Sequence, residues 1–104
     1  MLYVNSIVLT GFAGDCTKSG TTKDGQKYAF SSVAVKRPEP SRVTDYITIV
    51  GFGDIADKIA MFSKNTPISV KGRLEANRYK AAEGVIKESF RVVVDSITRI
   101  ADDK

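Results

Sequence analysis

The stretch Asp45-Tyr46-Ile47-Thr48-Ile49-Val50-Gly51-Phe52-Gly53 decides the fold, because it is a strongly β-prone segment that leads directly into a short amphipathic helix. Side chains of an extended strand alternate between two faces. One face carries Tyr46, Thr48, Val50 and Phe52. The polar Thr48 indicates that this face meets solvent. Aromatic rings on a solvated sheet are a platform on which the bases of a single-stranded nucleic acid can stack.

A helix is predicted directly after this strand. Gly53-Asp54 is a helix-start signal in which Asp54 can cap the first free amides. Ile55, Ile59 and Phe62 recur at the spacing of one helical face. We therefore expect one apolar stripe that packs on the sheet, with the helix ending before Pro67.

Strand patterns account for most of the remaining chain. The predicted strands are Tyr3 to Gly11, Tyr28 to Val35, Arg42 to Phe52, a fourth from Ile68, and Val85 to Ile100, the last with a bend or bulge near Val93 and Asp95. Residues 14–27 are predicted to be a polar, turn-rich loop, and residues 81–84 a turn. The order β-β-β-α-β-β is that of the OB-fold, an all-β, five-stranded Greek-key barrel whose helix closes one end.

Composition indicates one globular domain spanning residues 1–104. Hydrophobic residues make up 42% and charged residues 27% of the chain, which is ordinary for a globular protein. The net charge of +4 permits a polyanionic partner without requiring one. Apolar runs are too short to span a bilayer, so no membrane partner is expected.

The sequence gives little support for a catalytic site or a metal site. Histidine is absent, which removes the commonest general base and the commonest transition-metal ligand. No catalytic residue, metal site or cofactor is predicted. Cys16 is the only cysteine, so an internal disulfide is excluded, and we interpret it as a small packing residue in a reducing, cytoplasmic protein.

Several segments, taken together in this order, resemble the bacterial single-stranded DNA-binding protein family. They are Val4-Asn5-Ser6-Ile7-Val8-Leu9-Thr10-Gly11, Phe30-Ser31-Ser32-Val33-Ala34-Val35, Thr44 to Gly53, Val70-Lys71-Gly72-Arg73-Leu74 and Val92-Val93-Val94-Asp95-Ser96-Ile97. The resemblance covers nearly the whole chain. It implies non-catalytic, largely sequence-independent binding of single-stranded DNA in replication, recombination or repair.

The resemblance also implies which rings stack on bases. In that family the stacking aromatics stand at both ends of the third strand and on the hairpin after the fourth, which correspond here to Tyr46, Phe52 and Tyr79. Strand alternation places the same three residues on polar faces. Phe30 shares a face with Lys36 and either extends this platform or packs, as does Tyr28, whereas Phe12, Phe62 and Phe90 are assigned to packing.

Basic residues on the same predicted surface are the candidates for phosphate contacts. They are Lys36, Arg37, Lys71, Arg73 and Arg78. A basic residue on the wet face of a strand is often only solvated, so each of these assignments has a simple alternative.

The sequence departs from the family pattern in ways that predict a shorter DNA footprint or a lower affinity for DNA. Tyrosine replaces the tryptophan often found at the positions of Tyr46 and Tyr79, and residues 36–43 contain no aromatic. The sequence stops at Ala101-Asp102-Asp103-Lys104, without an acidic tail, so recruitment of partners through such a tail is doubtful. A tail-less member from a plasmid, phage or other mobile element fits this pattern.

Leu2, Val4 and Val8 share an outer face with more apolar surface than a monomer needs. We expect a homo-oligomer, a tetramer ahead of a dimer. Two alternatives to DNA coating remain open. One is an OB-fold accessory of replication restart or an RNA-binding protein, and the other is a protein-interaction subunit with Tyr46, Phe52 and Tyr79 buried against a partner.

Overall fold

The computed structural model describes residues 3–15 and 18–100. The expectations for Leu2, Cys16 and residues 101–104 concern positions outside these ranges.

Within the described residues the chain forms one sheet and one α-helix. The strands are β1 (Ile7–Ala13), β2 (Lys18–Thr21), β3 (Lys27–Lys36), β4 (Thr44–Phe52), β5 (Pro67–Lys80) and β6 (Ile86–Arg99), with helix α1 (Asp54–Met61) between β4 and β5 and a 3₁₀ turn at Ala82–Gly84. The sheet order is β1-β5-β6-β4-β3-β2, and β1 also pairs with β3, so that the sheet closes partly into a ring. This mostly β architecture with one helix confirms the predicted class and is consistent with the OB-fold.

Strand β2 corrects the prediction of a loop over residues 14–27. It pairs antiparallel with β3 from Lys18 opposite Phe30 to Thr21 opposite Lys27, so the sheet has six strands rather than five. All four residues of β2 are exposed, so the strand lacks the apolar alternation by which strands are recognised. Gly25, with a φ of 87°, forms the connecting turn, and the Asp24-Gly25 pair was the available hairpin signal.

The core lies between the inward faces of the strands and α1. Its largest fully buried side chains are Ile49, Ile68, Val33, Val70 and Val92. Ile59 belongs to the core cluster, and Ile55 and Phe62 pack against it, which confirms the predicted helical stripe. Gly51 allows this close approach, because a Cβ there would lie 2.6 Å from side-chain carbons of both Ile55 and Ile59.

The start of α1 differs from the prediction. The N-cap is Gly53, without a side-chain capping hydrogen bond, and Asp54 is already helical, so the capping role given to Asp54 is wrong. Gly53 has a φ of 64°, a conformation that glycine adopts without a steric penalty. Across residues 3–15 and 18–100, none of the helical structure is long and apolar enough to cross a membrane.

The predicted irregularity in the last strand is confirmed. Along the β5–β6 ladder, Lys71 faces Ser96 but Gly72 faces Val94, which leaves Asp95 without a partner. Such a β-bulge bends the strand, and the extra residue shifts the inward–outward alternation of the side chains by one position. As a result Val93 lies opposite Arg73, and Arg91 lies opposite Glu75.

Candidate nucleic-acid interface

One continuous outer face is formed by four strands. It comprises the even-numbered residues of β3 and β4 and the odd-numbered residues of β5 and of β6 up to Val93. Cross-strand register aligns these positions in rows, of which the central one runs Phe30, Val50, Val93 and Arg73. The outward residues of the four strands therefore form a single surface only because the bulge at Asp95 sets which residues of β6 face outward.

The three predicted stacking rings lie on this outer face. Tyr46 is 74% exposed and Tyr79 is 51% exposed, while Phe52 is partly buried at the other end of β4. A rise of about 3.4 Å per residue separates Tyr46 from Phe52 by roughly 20 Å along β4. Tyr79 stands on the β5–β6 hairpin, directly opposite Lys87. The outer face thus carries rings at widely spaced positions.

The centre of the outer face is drier than the sequence predicts. Val50 shares this face with Tyr46 and Thr48, yet it is 0% exposed, so its assignment to a solvated face is wrong. Its neighbours across β3 and β6 are Phe30 and Val93, and these apolar side chains surround it. The middle of the central row is therefore dry, whereas Thr48 and Arg73 next to it are exposed.

Phe30 belongs to this packed centre. Its ring meets that of Tyr28 edge to face, with centroids 6.1 Å apart and an interplanar angle of 75°. The guanidinium carbon of Arg91 lies 5.9 Å from the Phe30 centroid, a cation–π arrangement, while Arg91 Nη2 donates to Glu75 at 3.1 Å. One face of the Phe30 ring is thus covered, and a base could stack there only after Arg91 moves.

Most of the predicted phosphate-binding cations already have carboxylate partners. The pairs are Lys36 with Glu39 at 3.6 Å, Arg37 with Asp45 at 3.0 Å, Arg73 with Glu75 at 3.3 Å and with Asp95 at 3.8 Å, and Arg78 with Glu88 at 3.1 Å. These pairs are solvent-exposed and contribute little to stability, so phosphate can replace the carboxylate. Lys71 has no ion pair among the described residues.

The hairpin separates two residues that the sequence grouped together. Arg78 projects from the opposite face of β5 to Tyr79 and pairs with Glu88 there, so the structure does not bring it to the outer face. Lys87 takes that place opposite Tyr79, and it has no ion pair within the part of the chain that is described. Lys87 was not among the residues predicted from the sequence, although pairing the hairpin strands outward from the turn at residues 81–84 places it opposite Tyr79.

Arg37 and Asp45 form a bidentate ion pair, with two hydrogen bonds of 3.0 Å. The hydrogen bonds between the two side chains lower the pKa of the Asp45 carboxyl. The same hydrogen bonds raise the pKa of the Arg37 guanidinium. Both groups therefore remain charged over a wide pH range. Asp45 is an odd-numbered residue of β4, so this pair lies at the same end of β4 as Tyr46 but projects from the opposite face of the strand.

Packing was assigned to three phenylalanines, and the structure separates them. Phe62 packs against the core, as predicted. Phe12 is 54% exposed and Phe90 is 56% exposed, so the packing assignment is wrong for both. Phe12 lies on the outward side of β1, and Phe90 lies opposite Ala76 on the exposed hairpin, where no second layer covers it.

Comparison with curated protein sequences finds no match to this chain. The model of the single-strand binding protein family matches residues 4–100. This range contains every strand of the sheet, the helix and the outer face with its rings and cations. The chain belongs to the single-strand binding protein family.

Proposed function

We propose that this protein binds single-stranded DNA without catalysis and largely without regard to sequence. Bases stack on Tyr46, Phe52 and Tyr79, and neighbouring lysines and arginines contact the phosphates. The observation that carries the proposal is the ring of Tyr46, which is 74% exposed on the same outer face as Tyr79. Stacking suits a protein with little sequence preference, because every base offers a π-face.

Phosphate contacts come from two groups of cations in this proposal. Lys71 and Lys87 lack carboxylate partners among the described residues and are available directly. Arg37 and Arg73 must exchange a carboxylate for a phosphate. Each phosphate neutralised on a single strand adds about −0.7 to the slope of log affinity against log salt.

The edge of β1 supports an oligomeric assembly. Strand β1 pairs with β5 along one edge, but among the described strands its other edge pairs with β3 only at Phe12 and Ala13, so that second edge is unpaired from Ile7 to Gly11. Val8 on this strand is exposed, as is Val4 before it. An unpaired edge with apolar neighbours favours pairing with another chain. We propose a homo-oligomer, a tetramer ahead of a dimer, that coats single-stranded DNA in the cytoplasm during replication, recombination or repair.

Titration with oligo(dT) at low salt, followed by tyrosine fluorescence, tests this proposal. Stacking is expected to quench the fluorescence, and duplex DNA is expected to compete poorly. The proposal would be overturned by an absence of binding to oligo(dT). Stronger competition by RNA would favour an RNA-binding protein, and rings that are protected without nucleic acid would favour a protein-interaction subunit.

A further inference from the structure

A groove of about 530 Å³ opens between β1 and the β3–β4 pair, at the end of the outer face that carries Tyr46. Its lining includes Thr10, Phe12, Ala34, Lys36, Tyr46 and Pro67. We propose that this groove is an additional subsite that takes one base of the bound single strand, with Phe12 as a further stacking ring. This inference rests on the proposed function and extends it to a residue that the sequence analysis assigned to packing.

The register of three strands builds the groove. Phe12 on β1 lies opposite Ala34 on β3, and Ala34 lies opposite Tyr46 on β4, so the three form one row. A methyl group thus stands between two large aromatic side chains. Strands in a sheet are about 4.8 Å apart, which places the backbones that carry Phe12 and Tyr46 roughly 10 Å apart.

This spacing suits a planar guest. Stacked aromatic groups have centroids about 4.5 to 7 Å apart, so two rings on backbones roughly 10 Å apart have space for one planar group between them. Among the described residues, neither Phe12 nor Tyr46 contacts another aromatic ring. Phe12 is 54% exposed and Tyr46 is 74% exposed, so both rings are accessible to a base.

The surroundings of the groove favour a nucleotide over another ligand. Ala34 and Pro67 supply apolar surface, while Thr10, Thr44 and Asn65 supply polar groups that can meet a base edge. Lys36 lines the groove, and its ion-pair partner Glu39 is an exposed carboxylate 3.6 Å away that a phosphate can replace. Tyr46 belongs to both the groove and the outer face, so a strand stacked on Tyr46 can continue into the groove.

Substitution of Phe12 tests this inference. Phe12→Ala is expected to weaken binding to labelled oligo(dT) by about 5- to 150-fold, the loss that corresponds to one stacked base. Phe12→Leu keeps much of the apolar volume but removes the ring, and it is expected to weaken binding in the same way. Phe90→Ala is the matched control, because Phe90 is equally exposed but lies outside the groove. Its affinity should equal that of the wild type.

A second measurement uses the unaltered chain. An oligonucleotide with a photoreactive 5-iodouracil is expected to crosslink to the peptides that contain Phe12 and Tyr46. The subsite would be overturned if no crosslink forms at Phe12 and both Phe12 variants bind with wild-type affinity. If Tyr46→Ala still binds weakly in that case, the proposed function remains intact. Failure of the wild type to bind oligo(dT) would instead remove the proposed function.

Sedimentation distinguishes a base in the groove from the alternative occupant, a second copy of the chain. If the groove takes a base, the Phe12 variants keep the oligomeric mass of the wild type. Dissociation of the oligomer with unchanged affinity per protomer would show that the groove is a subunit contact and would overturn the inference.

Discussion

Arg37 donates two hydrogen bonds to Asp45, from Nε to Oδ2 and from Nη2 to Oδ1, each at 3.0 Å. Asp45 immediately precedes Tyr46, so this bidentate pair lies at the end of β4 that carries this exposed ring, on the opposite face of the strand. Until Asp45 is displaced, the charge of Arg37 is not free for phosphate. The positive charge available near Tyr46 therefore depends on ion pairing as well as on the number of lysines and arginines.

Replacement of Asp45 by Asn is expected to tighten binding to single-stranded DNA. The substitution removes the negative charge that competes with phosphate for Arg37, and the salt slope should steepen by about 0.7 if one more phosphate is neutralised. Fluorescence anisotropy of labelled oligo(dT) over a range of salt concentrations measures both quantities. Asp57→Asn is the control, because Asp57 pairs with Lys27 away from Tyr46. Identical salt slopes for Asp45→Asn and the wild type would contradict a role for this pair.

Arg37→Ala is expected to raise the pKa of Asp45, because hydrogen bonding from Arg37 is the main cause of its lowered pKa. A carboxyl whose pKa is lowered by folding stabilises the native state above its unfolded pKa, and this contribution disappears as the pH falls through the folded pKa. The melting temperatures of wild type and variant should therefore differ at neutral pH and converge in acid. NMR titration of the Asp45 carboxyl carbon measures the shift directly, and Arg42→Ala should leave it unchanged.

Tyr46→Ala and Tyr79→Ala should each weaken binding to oligo(dT) by about 1 to 3 kcal/mol, the value of one stacked base. Tyr46→Phe and Tyr79→Phe keep the ring and should retain most of the affinity. Tyr3→Ala is the matched control, since Tyr3 is 82% exposed but precedes β1 and lies off the outer face. Unfolding in urea checks that the alanine variants remain folded. A loss of stability without a loss of affinity would argue against stacking.

Lys87 and Arg78 should behave differently although both lie on the β5–β6 hairpin. Lys87→Ala is expected to weaken binding to all sequences alike and to reduce the magnitude of the salt slope by about 0.7, because Lys87 faces outward beside Tyr79. Arg78→Ala should have a smaller effect, because Arg78 projects from the other face and pairs with Glu88. Parallel salt titrations of the two variants test this difference. Equal losses would show that DNA contacts both faces of the hairpin.

Gly51→Ala should destabilise the fold by about 1 to 3 kcal/mol, the usual effect of overpacking. The added methyl would meet Ile59 Cδ1 at 2.6 Å, so α1 would have to move away from β4. Urea denaturation measures the change in the free energy of unfolding. Addition of Ile59→Val removes that carbon, and the double variant should recover part of the expected additive loss. Strict additivity would contradict this contact.

Much of the outer face was predictable from residue alternation. Tyr46, Phe52 and Tyr79 lie on the faces that alternation assigned to them, and Asp95 forms a bulge where the length of the last strand required one. Strand β2 was missed because all its residues are exposed and only its pairing with β3 makes it a strand. The capping role of Asp54 was wrong because Gly53 takes the N-cap position with a positive φ.

Local periodicity in the sequence was sufficient for the class of fold, the position of the helix and the faces of the strand from Asp45 to Gly53, because each depends on neighbours along the chain. The exposure of individual side chains and the pairing of the strands depended on contacts between strands that are distant in the sequence. The burial of Val50 follows from Phe30 and Val93 on either side, and the groove beside Tyr46 follows from Phe12 meeting Ala34 where β1 closes on β3. Such contacts are set by register and closure of the sheet, which alternation within one strand does not specify.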